Sequence, residues 1–349
     1  MFDIALDLHK ENTYGVVLDD KSGQVVWEGS FSSSFRAAKE TLEYYFTKGT
    51  KVAIEATSCF YPIYDGLKSL NQIEVFVVNT TKLEKPAIKT DRRDALRIAH
   101  LLRRDELPIA FIPNKEIRLQ RELASLRMRF VHSCTECKNR IHSILHKEGK
   151  RPIGVKDVFS QKGLKQLENL NIERKEELHE ELDLLEILQR KQARIENQID
   201  ELIHKNSELN KAVELIDSIP GFAQTLAFVC ATELMPISRF DSGESVAAYA
   251  GLYPCIDSSG GRTKHGGIRR VGRKLLRWAL VEGAHCAGRT KSPIGDYYRK
   301  KSKQKKSNHA SAIATANKLA KMIYEILSTE KPYNPVKEQQ SSPCNHVPL

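Results

Sequence analysis

Four acidic residues have the types and surroundings for metal-assisted phosphate chemistry: Asp7, Glu55, Asp91 and Asp94. Asp7 interrupts the apolar, strand-like run Ile4-Ala5-Leu6-Asp7-Leu8, where a carboxylate is costly unless something compensates it. Glu55 closes a short apolar strand over Lys51–Ala56. Asp91 and Asp94 stand three residues apart in a predicted helix over Asp91–Arg104 and so share a face. Strand ends that neighbour one another in a sheet can gather such residues at one edge. Gathered carboxylates repel unless a cation bridges them. Oxygen-only ligands select hard ions such as Mg²⁺ or Mn²⁺. Two such ions, about 4 Å apart, can hold the attacking and leaving oxygens of a phosphodiester in line. Each acid alone also has an ordinary reading. Asp7 could be satisfied locally, Asp91 could cap its helix beside Thr90, Asp94 could pair with Arg93 or Arg97, and Glu55 could lie on the surface.

A second group is centred on Asp257-Ser258-Ser259-Gly260-Gly261, preceded by Ala250-Gly251-Leu252-Tyr253-Pro254. Basic residues follow: Arg262, Lys264, Arg269, Arg270, Arg273, Lys274 and Arg277. A serine beside glycine approaches a phosphodiester without obstruction, and arginines lower the cost of its alkoxide. The alternative is a glycine-rich loop that only binds phosphate, through hydroxyls and backbone N–H groups; bare spacing favours that passive reading. The charge supports a polyanionic partner in either case. Ser259–Ala310 holds 15 Lys/Arg against 2 acidic residues, more than the chain's whole net charge of +11. Like charges at that density are tolerated best when phosphates neutralise them.

These groups need elements to position them. A length of 349 residues suggests about two domains. The first hundred residues read as strands at Ile4–Leu8, Thr13–Leu18 and Gln24–Gly29. A helix at Phe35–Lys48, a strand at Lys51–Ala56, a helix at Tyr61–Leu70, a strand at Glu74–Asn79 and the Asp91–Arg104 helix follow. That is a mixed five-stranded sheet with flanking helices. Glu116–Lys147 and Glu173–Lys205 read as two long helices with a Gly/Pro connector over Gly149–Lys165, a pattern for an antiparallel coiled-coil arm. From Lys211 the pattern is mainly helical, opening on a helix, a tight glycine turn at Pro220-Gly221, and a second helix. Thr329–Leu349 has four prolines and reads as a disordered tail. Cys134-x-x-Cys137 with His132, His142 and His146 hints at zinc, but all lie in one predicted helix, where a tetrahedral site is hard to close. No run approaches the roughly 18 apolar residues of a membrane span. Seven cysteines and a start lacking signal-peptide character fit a reducing cytoplasm.

The order Asp, Glu, Asp-x-x-Asp on strand one, strand four and the last helix resembles ribonuclease H-like nucleases, particularly the Holliday-junction resolvase branch. Several segments together are similar to the DEDD insertion-sequence transposases, the family that includes the Piv invertases. They are Ile4-Ala5-Leu6-Asp7-Leu8-His9-Lys10, Ile54-Glu55-Ala56-Thr57, Lys89-Thr90-Asp91-Arg92-Arg93-Asp94-Ala95, Ser218-Ile219-Pro220-Gly221, Ala250-Gly251-Leu252-x-Pro254 and Ser259-Gly260. The resemblance runs from about residue 3 to about residue 328. It implies a ribonuclease H-like catalytic domain at 1–112, a coiled-coil linker at 113–208, a transposase domain at 209–328 and the tail at 329–349. It further implies Mg²⁺ (or Mn²⁺) on Asp7, Glu55, Asp91 and Asp94, and a nucleophile at Ser259. Gly260, Arg262, Lys264, Arg269, Arg270, Arg273, Lys274 and Arg277 are then expected to contact nucleic acid. The partners implied are double-stranded DNA at element ends and target, a guide (bridge) RNA, and further copies of the chain in a dimer or tetramer, with the protein on the bacterial nucleoid. Ser58 stands where the family usually has glycine, and Ser258 adjoins the expected nucleophile. The rival activity is a metal-dependent, junction-resolving endonuclease using water, with the serine segment only binding.

Overall fold

The computed structural model describes residues 1–57, 59–83, 90–259, 262–268, 271–305 and 307–335, with 254–259, 262–268 and 305 given by backbone alone. The chain separates into two compact units, Met1–Asn114 and Lys115–Leu349.

The first unit opens with β1 (Phe2–Leu8), β2 (Asn12–Asp19) and β3 (Val25–Ser32). It continues through α1 (Phe35–Leu42), β4 (Thr50–Glu55), α2 (Phe60–Lys68), β5 (Ile73–Val78) and α3 (Asp91–Arg103). The sheet order is β3-β2-β1-β4-β5. The first three strands are antiparallel, and β4 and β5 run parallel to β1. This is the mixed five-stranded sheet expected. β1 lies in its middle with six consecutive buried residues, so it is apolar on both faces rather than alternating. One face, with Ile4, Leu6, Leu8, Val52 and Ile54, packs on Leu42, Ile63 and Leu67. The other, with Ala5, Val16, Leu18 and Ala53, receives Ala95, Ile98, Ala99 and Leu102 of α3. Those α3 positions are i, i+3, i+4 and i+7, one helical stripe. Alanines on both sides of that contact let the helix lie close to the strands. Asp3 is on the same pleat and only 2% exposed; burial, and then the nearby Asp20, push its carboxyl up to about 6.

The second unit begins with α4 (Lys115–Lys147), α5 (Gln161–Glu168) and α6 (Lys175–Lys205). Then come α7 (Ser207–Asp217), α8 (Gln224–Leu234), α9 (Gly243–Tyr249), β6 (Pro254–Ser259), β7 (Arg262–Ile268), α10 (Lys274–Ala287), α11 (Pro293–Lys305) and α12 (Asn308–Thr329). The long helices α4 and α6 pack along each other, with Cys134, Cys137, Ile141 and Ile144 against Leu178 and Leu185. Arg127–Glu196 at 2.8 Å and Arg140–Glu181 at 2.6 Å pair across the seam. Cys137 donates to the Glu181 carbonyl at 3.0 Å, and burial pushes its thiol up to about 11. Both cysteines of the Cys-x-x-Cys pair therefore serve helix pairing. Around α8, buried from Ala227 to Leu234, helices α7, α10 and α12 contribute Ile216, Leu280, Leu319 and Ile323 to the largest core.

Three features depart from the sequence expectation. The connector contains α5, started by Ser160, whose hydroxyl accepts from the Gly163 N–H at 3.3 Å. The basic stretch after Ser292 forms α11. The glycine-rich serine segment, expected as a loop, forms an antiparallel hairpin in which Ser259 pairs with Arg262 and Ser258 with Thr263. Glycines and charged residues are weak strand formers, so this ladder depends on what holds its two ends together. Most of the tail expected to be disordered, residues 336–349, lies outside the described residues.

Candidate active site

Strand register brings the first two acids together. Leu6 of β1 lies opposite Ile54 of β4 in a parallel pair. Asp7 and Glu55 are the next residues on each strand. They continue the pleat of Ala5 and Ala53, the side on which α3 packs. Asp7 is 3% exposed.

Helix α3 supplies the other two. Its N-cap is Thr90, whose hydroxyl accepts from the Arg93 N–H at 3.3 Å. The cap belongs to Thr90, which leaves the Asp91 carboxylate for other partners. Asp94, one turn on, is 7% exposed, and its buried Oδ2 has no hydrogen-bond partner among the described residues. Anionic side chains in the first turn are also favoured by the helix dipole.

His9 completes the cluster, and its spacing in the sequence assigned it no role. Its Nε2 lies 3.4 Å from Asp7 Oδ2 and 3.3 Å from Asp91 Oδ1. One ligand atom from each of Asp7, His9 and Asp91 falls within 4.8 Å of the others. A cleft of about 460 Å³ lined by His9, Lys10, Glu11, Asn12 and Asp91 opens there. The available signal was the Asp7-x-His9 spacing, since residues two apart on a strand share a face. The donor set suits a divalent cation. It holds the buried Asp7 carboxylate beside the exposed Asp91 carboxylate and the His9 imidazole; Asp94 and Glu55 are not in that group.

The serine group lies in the second unit. Ser259 ends β6 and Arg262 starts β7; both are described by backbone alone, as is Lys264. Gly260, Arg269 and Arg270 lie outside the described residues. At the base of the hairpin two backbones meet closely. Gly251 and Gly272 have φ of +72° and +127°. A Cβ on Gly272 would come within 2.7 Å of the Gly251 nitrogen, so the two backbones meet where no side chain fits. Across this pinch the Arg273 N–H donates to the Tyr249 carbonyl at 2.9 Å, and Arg277 donates to the Ala250 carbonyl at 3.2 Å. Arg273 also forks onto the fully buried Glu233 of α8 at 2.7 and 2.8 Å. Arg121 of α4 donates to the carbonyls of Thr232 and Glu233 at 2.8 and 2.9 Å. Arg273 and Arg277, expected among the phosphate contacts, thus have partners within the protein. Lys274 is exposed at the start of α10.

Breaking this clamp has a predictable cost. Glu233→Gln leaves the Arg273 fork and the nearby Arg121 without their carboxylate. Urea unfolding is expected to show a loss of about 3 kcal/mol, the scale of a broken buried ion pair. A change under about 0.5 kcal/mol would mean that the fork contributes little.

Comparison with known proteins finds transposases. Residues 4–148 match the DEDD transposase model of the IS110 group, described as "Transposase". Residues 213–299 match the model described as "Transposase IS116/IS110/IS902 family". The chain belongs to the IS110/IS116 family of transposases. A putative transposase, y4qE of Sinorhizobium fredii, is 26% identical over 80% of this chain and 70% of its own length. The transposase for insertion sequence element IS1111A of Coxiella burnetii is 26% identical, covering 71% of this chain and 70% of its own. The pilin gene-inverting protein of Moraxella bovis is 30% identical over 40% of this chain and 44% of its own length. Membership gives the chain a DNA-rearranging enzymatic role. The first match spans the acidic cluster and the second spans the serine hairpin with its clamp. No helix among the described residues is long and apolar enough to cross a membrane.

Proposed function

We propose that the chain cleaves and rejoins DNA strands to move an insertion sequence, with the acidic cluster preparing the phosphate and Ser259 attacking it. The observation that carries this reading is the approach of Asp7 on β1, His9 and Asp91 on α3 to within ligand distance, beside the buried Asp94. A ribonuclease H-like reading of the first unit agrees with the strand order and with acids at adjacent strand ends. Asp7, Glu55, Asp91 and Asp94 are the residues that would hold Mg²⁺ or Mn²⁺, which when bound supplies positive charge to the phosphate oxygens. Asp7 and Asp94 are buried, Glu55 is half-buried and Asp91 is exposed.

Ser259 Oγ forms a bond to phosphorus as the bond to the leaving strand oxygen breaks. The hydroxyl proton passes to solvent and the leaving oxygen takes one up. One phosphodiester is exchanged for a phosphoserine, so rejoining needs no outside energy source. The hairpin clamp keeps the serine strand from splaying, which is the positional precision an in-line attack needs. Family resemblance adds a guide RNA and a homo-oligomer.

The test is to react the full-length protein with a nicked element-end duplex and Mg²⁺, then map the DNA-linked peptide. The expected product is an adduct on the peptide containing Ser259. Cleaved ends without any adduct would make water the nucleophile and the chain a junction-resolving endonuclease.

A further inference from the structure

Helix α3 does more than carry two acids. Arg93, Arg97, His100 and Arg104 follow one another at i, i+4, i+7 and i+11, on the side away from the buried Ala95, Ile98, Ala99 and Leu102. With Leu96 and Arg103 they line a groove of about 500 Å³ that has no acidic residue among the described residues of its wall. The stripe begins within the same turn as Asp91 and Asp94.

We infer that this groove is a track for the phosphate backbone of the DNA strand whose scissile phosphate enters the acidic cluster. The inference rests on the acidic cluster being the site of DNA cleavage. Several observations support it. Arg93 and Arg97 lie in the first half of the helix, where cations gain nothing from the helix dipole, so local helix stability does not explain them. From residue 93 to residue 104 the helix rises roughly 16 Å at 1.5 Å per residue. Measured along the duplex axis, that length spans about four to five phosphates of one strand at 3.4 Å each. Arg104 meets Glu106 at 3.4 Å on the surface, a weak pair that a phosphate can displace. The potential is also visible at His100, held below its ordinary value by burial and by Arg103 and Arg104. DNA is the occupant favoured because the described wall of the groove is basic and its stripe starts in the turn of α3 that also carries Asp91 and Asp94.

The experiment compares full-length wild type with R93Q/R97Q/R104Q and R93K/R97K/R104K by fluorescence anisotropy on a labelled DNA duplex across a salt series. The glutamine triple is expected to lower the slope of log K against log salt by about 2 to 3, near 0.9 for each phosphate no longer neutralised. The lysine triple is expected to keep the slope, and Arg36→Gln on α1 is expected to leave it unchanged. A wild type that binds no DNA would defeat the DNA-cleavage reading itself. A wild type that binds, with the same slope in the glutamine triple, would overturn the track alone. A slope lowered on an RNA duplex but kept on DNA would also overturn it, giving the groove to RNA. Thermal melts of each variant guard against misfolding.

Discussion

Ser259→Ala is expected to stop strand cleavage and rejoining, a fall of at least about 10³-fold, while DNA binding stays within about twofold of wild type. A nucleophile acts as part of a unit, and losing its one reacting oxygen removes nearly all of the covalent path. Binding survives because a single hydroxyl is a minor part of a strongly basic surface. Ser258→Ala is the internal control. An in-line attack needs one oxygen about 3 Å from phosphorus on the side opposite the leaving group. Truncating the neighbouring residue leaves that oxygen in place, so the expected loss is below about tenfold. Strand-cleavage assays on element-end duplexes measure both. Efficient cleavage by Ser259→Ala would move the chemistry to Ser258 or to water, and the adduct map would say which.

Asp7→Asn and Asp94→Asn are each expected to lower cleavage by at least about 100-fold and to weaken Mn²⁺ binding, followed by calorimetry, by about 10- to 100-fold. Stability distinguishes this from a folding defect. Without divalent metal, removing one carboxylate from a repelling group is neutral or stabilising, so the melting temperature of each variant is expected to equal or exceed that of wild type. With saturating Mg²⁺, wild type is expected to gain stability by binding linkage and the variants much less. Equal Mg²⁺-induced shifts in all three proteins would show that Asp7 and Asp94 hold no ion.

Much of the first unit was legible in the residues. An aspartate inside an apolar strand, a glutamate at the end of another and two aspartates one turn apart are local patterns, and local patterns survive in one dimension. Three hairpin-linked strands followed by alternating helices and strands also implied a mixed sheet. His9 escaped because its meaning is a distance to Asp91, far along the chain, and spacing reports only neighbours within a strand or helix. The hairpin β6–β7 escaped because its residues lack the alternating apolar pattern of a strand. It forms where Gly251 and Gly272 allow two backbones to meet, a close approach that no local propensity records.

The basic segment marks the same boundary. Its composition announced a polyanionic partner, since net charge adds along a sequence whatever the fold. Which cations remain for that partner was decided by folding. Arg273 turned to Glu233, in the buried part of α8, because a carboxylate held in an apolar core is stable only with a cation forked onto it. Arg93, Arg97 and Arg104, scattered among apolar residues in the sequence, became one stripe because 3.6 residues make a turn and the opposite face of α3 was needed by the sheet. The sequence by itself determined the kinds of chemistry available. The tertiary structure decided which groups stand within reach of one another, because coordination and ion pairing act over a few ångströms while the chain orders its residues only along its length.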